Sequence, residues 1–240
     1  MESQRAWIRH EIKYRVNRET FERFRDYMQN ILEVDPNSAE QGGYFNYSIY
    51  YDSPDLQFLN EKEEGLEMRT KPRLRIYKDI KSDQALSSFF EFKHRRGSLV
   101  QKERVRIDRE TSLKLLDPFH LEEAGENPVL NRITYFSRRY QIQPTICVLY
   151  KRQAFSCPLY PGLRITYDSH ITASLNIGLD VPREEFLTVL PPNEAIIEIK
   201  YNQLRPNFIA PLIGKLELQQ VSFSKYAESM RALYSTLRTR

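Results

Sequence analysis

The chain has 240 residues, 40% of them hydrophobic and 28% charged, and its 36 basic and 32 acidic side chains leave a net charge of +4. That composition can fill a sizeable core, and the charge is too small to demand a nucleic-acid partner. No apolar run approaches the ~20 residues of a membrane span, and the opening MESQRAWIRH lacks the apolar stretch of a secretory signal. The chain therefore reads as cytoplasmic, unless a partner subunit carries it to a membrane.

Eight segments rich in β-branched and aromatic residues read as strands: 10–16, 44–52, 72–78, 88–95, 100–107, 146–154, 163–169 and 194–201. Helices fall between them. Residues 18–32 put Phe21, Phe24, Met28, Ile31 and Leu32 on one face at helical spacing. Ser53 followed by Pro54 reads as a cap opening a short helix through Leu59. Residues 127–140 and about 222–238 also read as helices, and 33–43 as a loop turning at Asp35-Pro36-Asn37. No repeat, low-complexity tract or linker divides the chain, so residues 1–240 read as one domain. Cys147 and Cys157 are too few for a disulfide framework or a zinc site and read as buried thiols. His10, His94, His120 and His170 have no metal-ligand spacing.

Alternate residues of a strand share a face, and sorting the strands this way separates charge from apolar surface. Glu11, Lys13 and Arg15 oppose Ile12, Tyr14 and Val16. Arg73, Arg75 and Tyr77 oppose Leu74 and Ile76. Glu91, Lys93 and Arg95 oppose Phe90 and Phe92, and Lys102, Arg104 and Arg106 oppose Val105 and Ile107. Tyr150 aligns with Arg152. Arg164, Thr166 and Asp168 oppose Leu163, Ile165 and Tyr167, and Glu198 and Lys200 oppose Ile197 and Ile199. A solvated sheet face is the ordinary explanation. Three features point elsewhere: the recurrence of Glu-x-Lys at Glu11, Glu91 and Glu198, the bias towards Arg, and intervening helices that could cover the apolar face from outside. If the sheet closes, the charged face becomes the interior. The expected fold is α+β: a closed eight-stranded antiparallel tunnel barrel with a charged interior and helices packed outside.

Nine basic residues (Lys13, Arg73, Arg75, Lys93, Lys102, Arg104, Arg152, Arg164 and Lys200) and four acidic ones (Glu11, Glu91, Asp168 and Glu198) would point inward. Unpaired buried charges each cost several kcal/mol, so the excess calls for a polyanion, and Arg forks match phosphate oxygens. Carboxylates beside phosphates suit Mg²⁺ or Mn²⁺, the makings of a phosphoryl-transfer site. The sequence has no Gly-rich phosphate loop, kinase signature, nucleophile elbow or zinc-peptidase motif.

In chain order the segments Glu11-Ile12-Lys13-Tyr14, Tyr50-Tyr51-Asp52-Ser53-Pro54, Arg73-Leu74-Arg75-Ile76-Tyr77, Glu91-Phe92-Lys93, Val100-Gln101-Lys102-Glu103-Arg104, Tyr150-Lys151-Arg152, Arg164-Ile165-Thr166-Tyr167-Asp168, Glu198-Ile199-Lys200 and Phe223-Ser224-Lys225-Tyr226 resemble the VTC domain. This is the catalytic domain of the vacuolar transporter chaperone complex and its prokaryotic relatives, among the triphosphate tunnel metalloenzymes. The resemblance spans about residues 7 to 230. It implies a tunnel barrel and a polyphosphate polymerase that moves the γ-phosphate of ATP onto an inorganic chain with Mn²⁺ or Mg²⁺. ATP and inorganic polyphosphate are then the partners, and the form is stand-alone or a subunit of a bacterial assembly.

The matching positions make Lys13, Arg73, Arg75, Arg152 and Arg164 candidate catalytic residues, and the inward strand face adds Lys200. Lys93, Lys102, Arg104, Tyr150 and Lys225 are the candidate substrate contacts, Lys225 closing one tunnel end. Glu198, Glu11 and Glu91 are the candidate metal ligands. Two positions depart from the pattern: Arg9 stands where many tunnel enzymes have Glu, and Ser222 where the terminal helix often has a second lysine. A metal-dependent tri- or polyphosphatase and a non-catalytic polyphosphate-binding module remain the alternatives.

Overall fold

The structure is a computed structural model that describes residues 10–39, 42–97, 99–120, 127–202 and 204–238. Arg9 lies outside them. The chain forms β1 (His10–Asn17), α1 (Arg18–Met28), β2 (Glu33–Val34), α2 (Pro36–Ala39), β3 (Tyr44–Asp52), α3 (Gln57–Glu63), β4 (Met68–Lys78), β5 (Ala85–Arg96) and β6 (Leu99–Ile107). It continues with α4 (Arg109–Lys114), α5 (Pro128–Tyr140), β7 (Gln143–Ser156), β8 (Arg164–Ser174), β9 (Leu187–Thr188), β10 (Glu194–Tyr201), α6 (Ile209–Lys215) and α7 (Lys225–Arg238). The strands make one antiparallel sheet in the order β1-β10-β8-β7-β3-β4-β5-β6, with β2 beside β7 and β9 beside β8.

The sheet does not close into the expected eight-stranded barrel: among the described residues no ladder joins β1 to β6. The free edge of β1 is taken by the segment ahead of α7. Tyr14 bridges Gln220, and the Val221 amide donates to the Lys13 carbonyl at 2.9 Å. A backbone already bonded there has no groups left for β6. Side chains cross the seam instead, Lys93 of β5 reaching Glu11 of β1 at 2.9 Å.

The apolar strand faces pack as their alternation requires. Phe21, Phe24 and Met28 of α1 and Ile209 and Leu212 of α6 cover Ile165, Ile197 and Ile199. Ile133 of α5 and Phe58 of α3 cover Leu74, Ile76, Phe90 and Phe92. Burying each such side chain contributes roughly 1.5–3 kcal/mol. The expectation that all helices lie outside fails for α7. Its Tyr226, Met230 and Leu233 pack on Ile146, Val148, Ile171 and Ile196, and Ile146 and Val148 share a strand face with Tyr150 and Arg152. One end of the concave face is thus apolar and filled by a helix, where a wholly charged interior was expected.

Helix limits move for local reasons. The first helix stops at Met28, four residues short of the predicted end, with Ile31 and Leu32 N–H groups both closing on the Met28 carbonyl. The helix expected at Pro54 starts at Gln57, after Leu56 adopts a left-handed conformation at φ 58°. Its free amides are satisfied from the preceding strand: Asp52 accepts from Phe58 and Leu59 at 2.8 and 2.9 Å, and Ser53 Oγ from Gln57 at 2.9 Å.

Candidate phosphate-binding site

Strand alternation on β4 sends Arg69, Lys71, Arg73 and Arg75 into a cavity of about 1740 Å³ on the concave side of the sheet. The register of β4, β5 and β6 sets Lys71 beside Lys93 and Lys102, and Arg73 beside Glu91 and Arg104. Across the cavity, Lys13, Glu198, Arg152 and Arg164 come from β1, β10, β7 and β8. Gly43 lets β3 approach β7 beside Arg152: at φ +128° it has no room for a side chain, since a Cβ would lie 2.5 Å from the Arg152 carbonyl oxygen.

Among the described residues fifteen basic side chains line this cavity against three carboxylates, so the surplus charge is strongly positive. Every predicted cation (Lys13, Arg73, Arg75, Lys93, Lys102, Arg104, Arg152, Arg164, Lys200 and Lys225) lies in its wall, with Tyr150, Glu11 and Glu198. Glu91 sits behind that wall, fully buried. Reading the strands missed Lys71 and Arg69, because the predicted strand began at residue 72. Their two-residue step from Arg73 was the available signal.

The carboxylates organise the cations. Asp168 takes Arg152 through two bonds of 2.6 Å and Lys225 at 2.5 Å. Glu198 lies 2.5 Å from Lys200, 3.1 Å from Lys13, 3.5 Å from Arg152 and 3.8 Å from Lys225. Glu91 takes Arg73 at 2.7 Å, contacts Lys102, and lies 3.7 Å from Arg75. Glu11 takes Lys93 at 2.9 Å and Lys13 at 3.2 Å. Arg164 pairs with Asp35 at 2.9 Å, drawing the loop after β2 to the rim. A Lys at the first position of α7 is unfavourable to the helix dipole, and the Asp168 pair offsets it.

Burial alone pushes the Glu198 carboxyl up. Lys200, Lys13, Lys225 and Arg152 reverse that and hold it well below the usual carboxylate range. The same contest ends the same way at Glu91, where Arg75, Arg73 and Lys102 prevail. Lysines with less negative charge nearby go the other way. Burial lowers Lys102 to about 7, Glu91 offsetting only part while Arg75 and Arg73 add repulsion. Burial and Lys13 bring Lys93 to about 8 against the pull of Glu11. Lys71 falls well below its ordinary value through burial and the repulsion of Lys13 and Lys93, and its amine donates to Ser224 Oγ at 2.6 Å. The buried Nε of Arg75 has no hydrogen-bond partner among the described residues. An orphaned donor of this kind costs roughly 1–3 kcal/mol, a cost that an anionic acceptor removes.

Glu11 and Glu198 flank one amine, Lys13 Nζ, so two hard oxygen donors converge. Among the described residues no group of three or more His, Cys, Asp or Glu does so. Two carboxylates fit Mg²⁺ or Mn²⁺, which complete their shells with phosphate oxygens and water. Glu91 fits less well, being fully buried and outside the cavity lining that Glu11 and Glu198 share. The remaining polar candidates have ordinary settings. Cys147 and Cys157 are buried free thiols, and His94 stacks on Phe92 and bonds Thr70 Oγ1 at 2.9 Å.

The VTC domain family model matches residues 8–234. No curated protein matches. Among solved structures, a candidate adenylate cyclase from Bacillus halodurans is 14% identical at a TM-score of 0.55, covering 91% of this chain and 95% of its own. The PH1819 protein of Pyrococcus horikoshii OT3 is 17% identical at 0.52, covering 97% and 99%. A candidate adenylate cyclase from Vibrio parahaemolyticus is 14% identical at 0.50, covering 95% and 100%. At these identities the shared property is the fold. Among the described residues no helix is long and apolar enough to cross a membrane.

Proposed function

The chain belongs to the VTC domain family, and on that premise we propose that it is a polyphosphate polymerase. It transfers the γ-phosphoryl group of ATP to the terminal oxygen of an inorganic polyphosphate chain. In this reading residues 1–240 act as one unit. Arg73, Arg75, Arg152 and Lys13 bind the phosphates, with Lys93, Lys102, Lys200, Arg164 and Arg104 along the path. Glu91 and Asp168 fix the guanidinium groups in position. Glu198 and Glu11 would hold Mg²⁺ or Mn²⁺, which supplies charge neutralisation of the phosphoryl oxygens. A bond forms between the acceptor oxygen and Pγ, the bond from Pγ to the β-phosphate oxygen breaks, and ADP leaves with the electron pair.

One observation favours transfer to phosphate over hydrolysis. Glu11, Glu91, Asp168 and Glu198 are each tied to two or more cations, which makes them poor bases. Water must lose a proton to attack, whereas a terminal phosphate oxygen is already an anion. Fixed cations that need no reorganisation are the main source of catalysis in such transfers.

Incubating the pure protein with ATP and Mn²⁺ and sizing the product on a gel tests the proposal. A ladder of polyphosphate with matching ADP is expected. Orthophosphate alone would make it a hydrolase, and intact ATP would make it a binding module.

A further inference from the structure

The charged face of β5 is interrupted by a side chain with no polar group. Its inward positions read Phe89, Glu91, Lys93 and Arg95, and all but Glu91 line the cavity. Phe89 is only half-buried, although its neighbour Phe90 on the other face is fully packed. An apolar ring left partly wet on a charged wall breaks the strand's own pattern, and such breaks mark function. The ring is not isolated. Tyr44 meets Tyr77 edge to face at 5.6 Å, and Tyr77 meets Phe89 at 5.9 Å, making a row across the sheet. The Arg104 guanidinium lies over Phe89, 4.9 Å from its centroid. Arg104 and Arg106 are exposed at this end.

The opposite end is different: Arg69 and its strand partner Arg95 line the cavity with Lys71, whose amine donates to Ser224 just ahead of α7. A nucleoside triphosphate is also two-ended, with an aromatic base and a tetraanionic tail. We propose that Phe89 is the stacking platform for the base of the nucleotide donor, the base taking the ring face that exposed Arg104 now covers and Arg104 swinging onto the outer face of the base. This rests on the phosphate-binding reading of the cavity. The register supports the fit. Phe89 is the direct partner of Arg75, and Glu91, which holds Arg73, is two residues further along the strand, roughly 6.7 Å inward. A base on Phe89 directs its phosphates to Arg75 and then Arg73. Stacking engages the π-face, which every base has, so the platform separates nucleotides from inorganic triphosphate without selecting one base.

Metal-free equilibrium titrations of ATP, GTP and inorganic triphosphate, which no turnover disturbs, test this on wild type, Phe89→Leu and Phe89→Trp. Phe89→Leu keeps apolar bulk and loses the π-face. It should weaken ATP and GTP by about tenfold and leave triphosphate within about twofold, with Phe89→Trp restoring both nucleotides. Unchanged ATP affinity in Phe89→Leu, or an equal loss for all three ligands, overturns the proposal. If the wild type binds none of them, the phosphate reading of the cavity fails, and this proposal with it.

Discussion

Replacing Glu198 by Gln removes one negative charge and almost no volume. Its carboxylate is 7% exposed and shared by Lys200, Lys13, Arg152 and Lys225 at 2.5 to 3.8 Å. Removing one partner of a buried pair costs about 3–5 kcal/mol. Arg152 and Lys225 keep Asp168, and Lys13 keeps Glu11, which puts the loss near the lower end, about 3 kcal/mol. For a chain of this size that is a drop of roughly 6–12 °C in Tm without ligand. Triphosphate brings negative charge to the same cations and no longer meets the carboxylate, so the variant binds it more tightly. Each tenfold gain narrows the stability gap by about 1.4 kcal/mol. Metal-dependent ATP turnover behaves oppositely and falls at least ~10²-fold, the scale of losing a main electrostatic element. Thermal melts with and without triphosphate, beside ATP consumption with Mn²⁺, read all three effects. Wild-type turnover in Glu198→Gln, or weaker metal-free triphosphate binding, would refute the reasoning.

Arg75→Ala removes a guanidinium whose Nε lacks a partner among the described residues. Charge-assisted bonds contribute roughly 1.5–3 kcal/mol, so polyphosphate affinity should fall about tenfold or more by calorimetry, and equal affinity would exclude this role. Free Lys102 and Lys93 titrate near 7 and 8, and a bound polyanion raises both. Binding therefore takes up protons, and affinity falls as the pH climbs past about 7 and further past about 8. Titration at pH 8 in two buffers of different ionisation heat should show net uptake, and its absence would contradict the burial of these amines. Tyr226→Phe breaks the 2.6 Å bond from α7 to the buried Asp52 and should cost about 1.5–3 kcal/mol in urea unfolding. Asp52→Ala should cost more, because it also frees the Phe58 and Leu59 amides; the reverse order would mean that α7 does not hang on this carboxylate.

The facing of the strands was legible because strict alternation forces it: Leu74 and Ile76 had to be buried if Arg73 and Arg75 were to share a face. The cavity cations followed from the same rule, and Lys71 escaped only through a strand start set at residue 72 instead of Met68. Alternation says nothing about which edges pair, so the capture of β1 by Gln220 and Val221 left no mark in the sequence. The seating of α7 on the concave face was hidden similarly. Alternation does put Ile146 and Val148 on the face of Arg152, but nothing in the sequence says that a helix covers the apolar end of that face. The two-residue strands β2 and β9 are too short for any periodicity. Helix α4 did carry a signal, Asp108 accepting from the Thr111 amide at 2.7 Å as a cap, and α6 was unmarked by caps.

The most direct test is a transfer experiment with γ-labelled ATP, Mn²⁺ and a short polyphosphate of defined length. The carboxylates of this cavity are held too acidic to activate water well, and its cations suit a phosphate acceptor. The label should therefore appear in chains one unit longer than the acceptor, with ADP formed in equal amount. Label recovered as orthophosphate, with the acceptor unextended, would contradict the account.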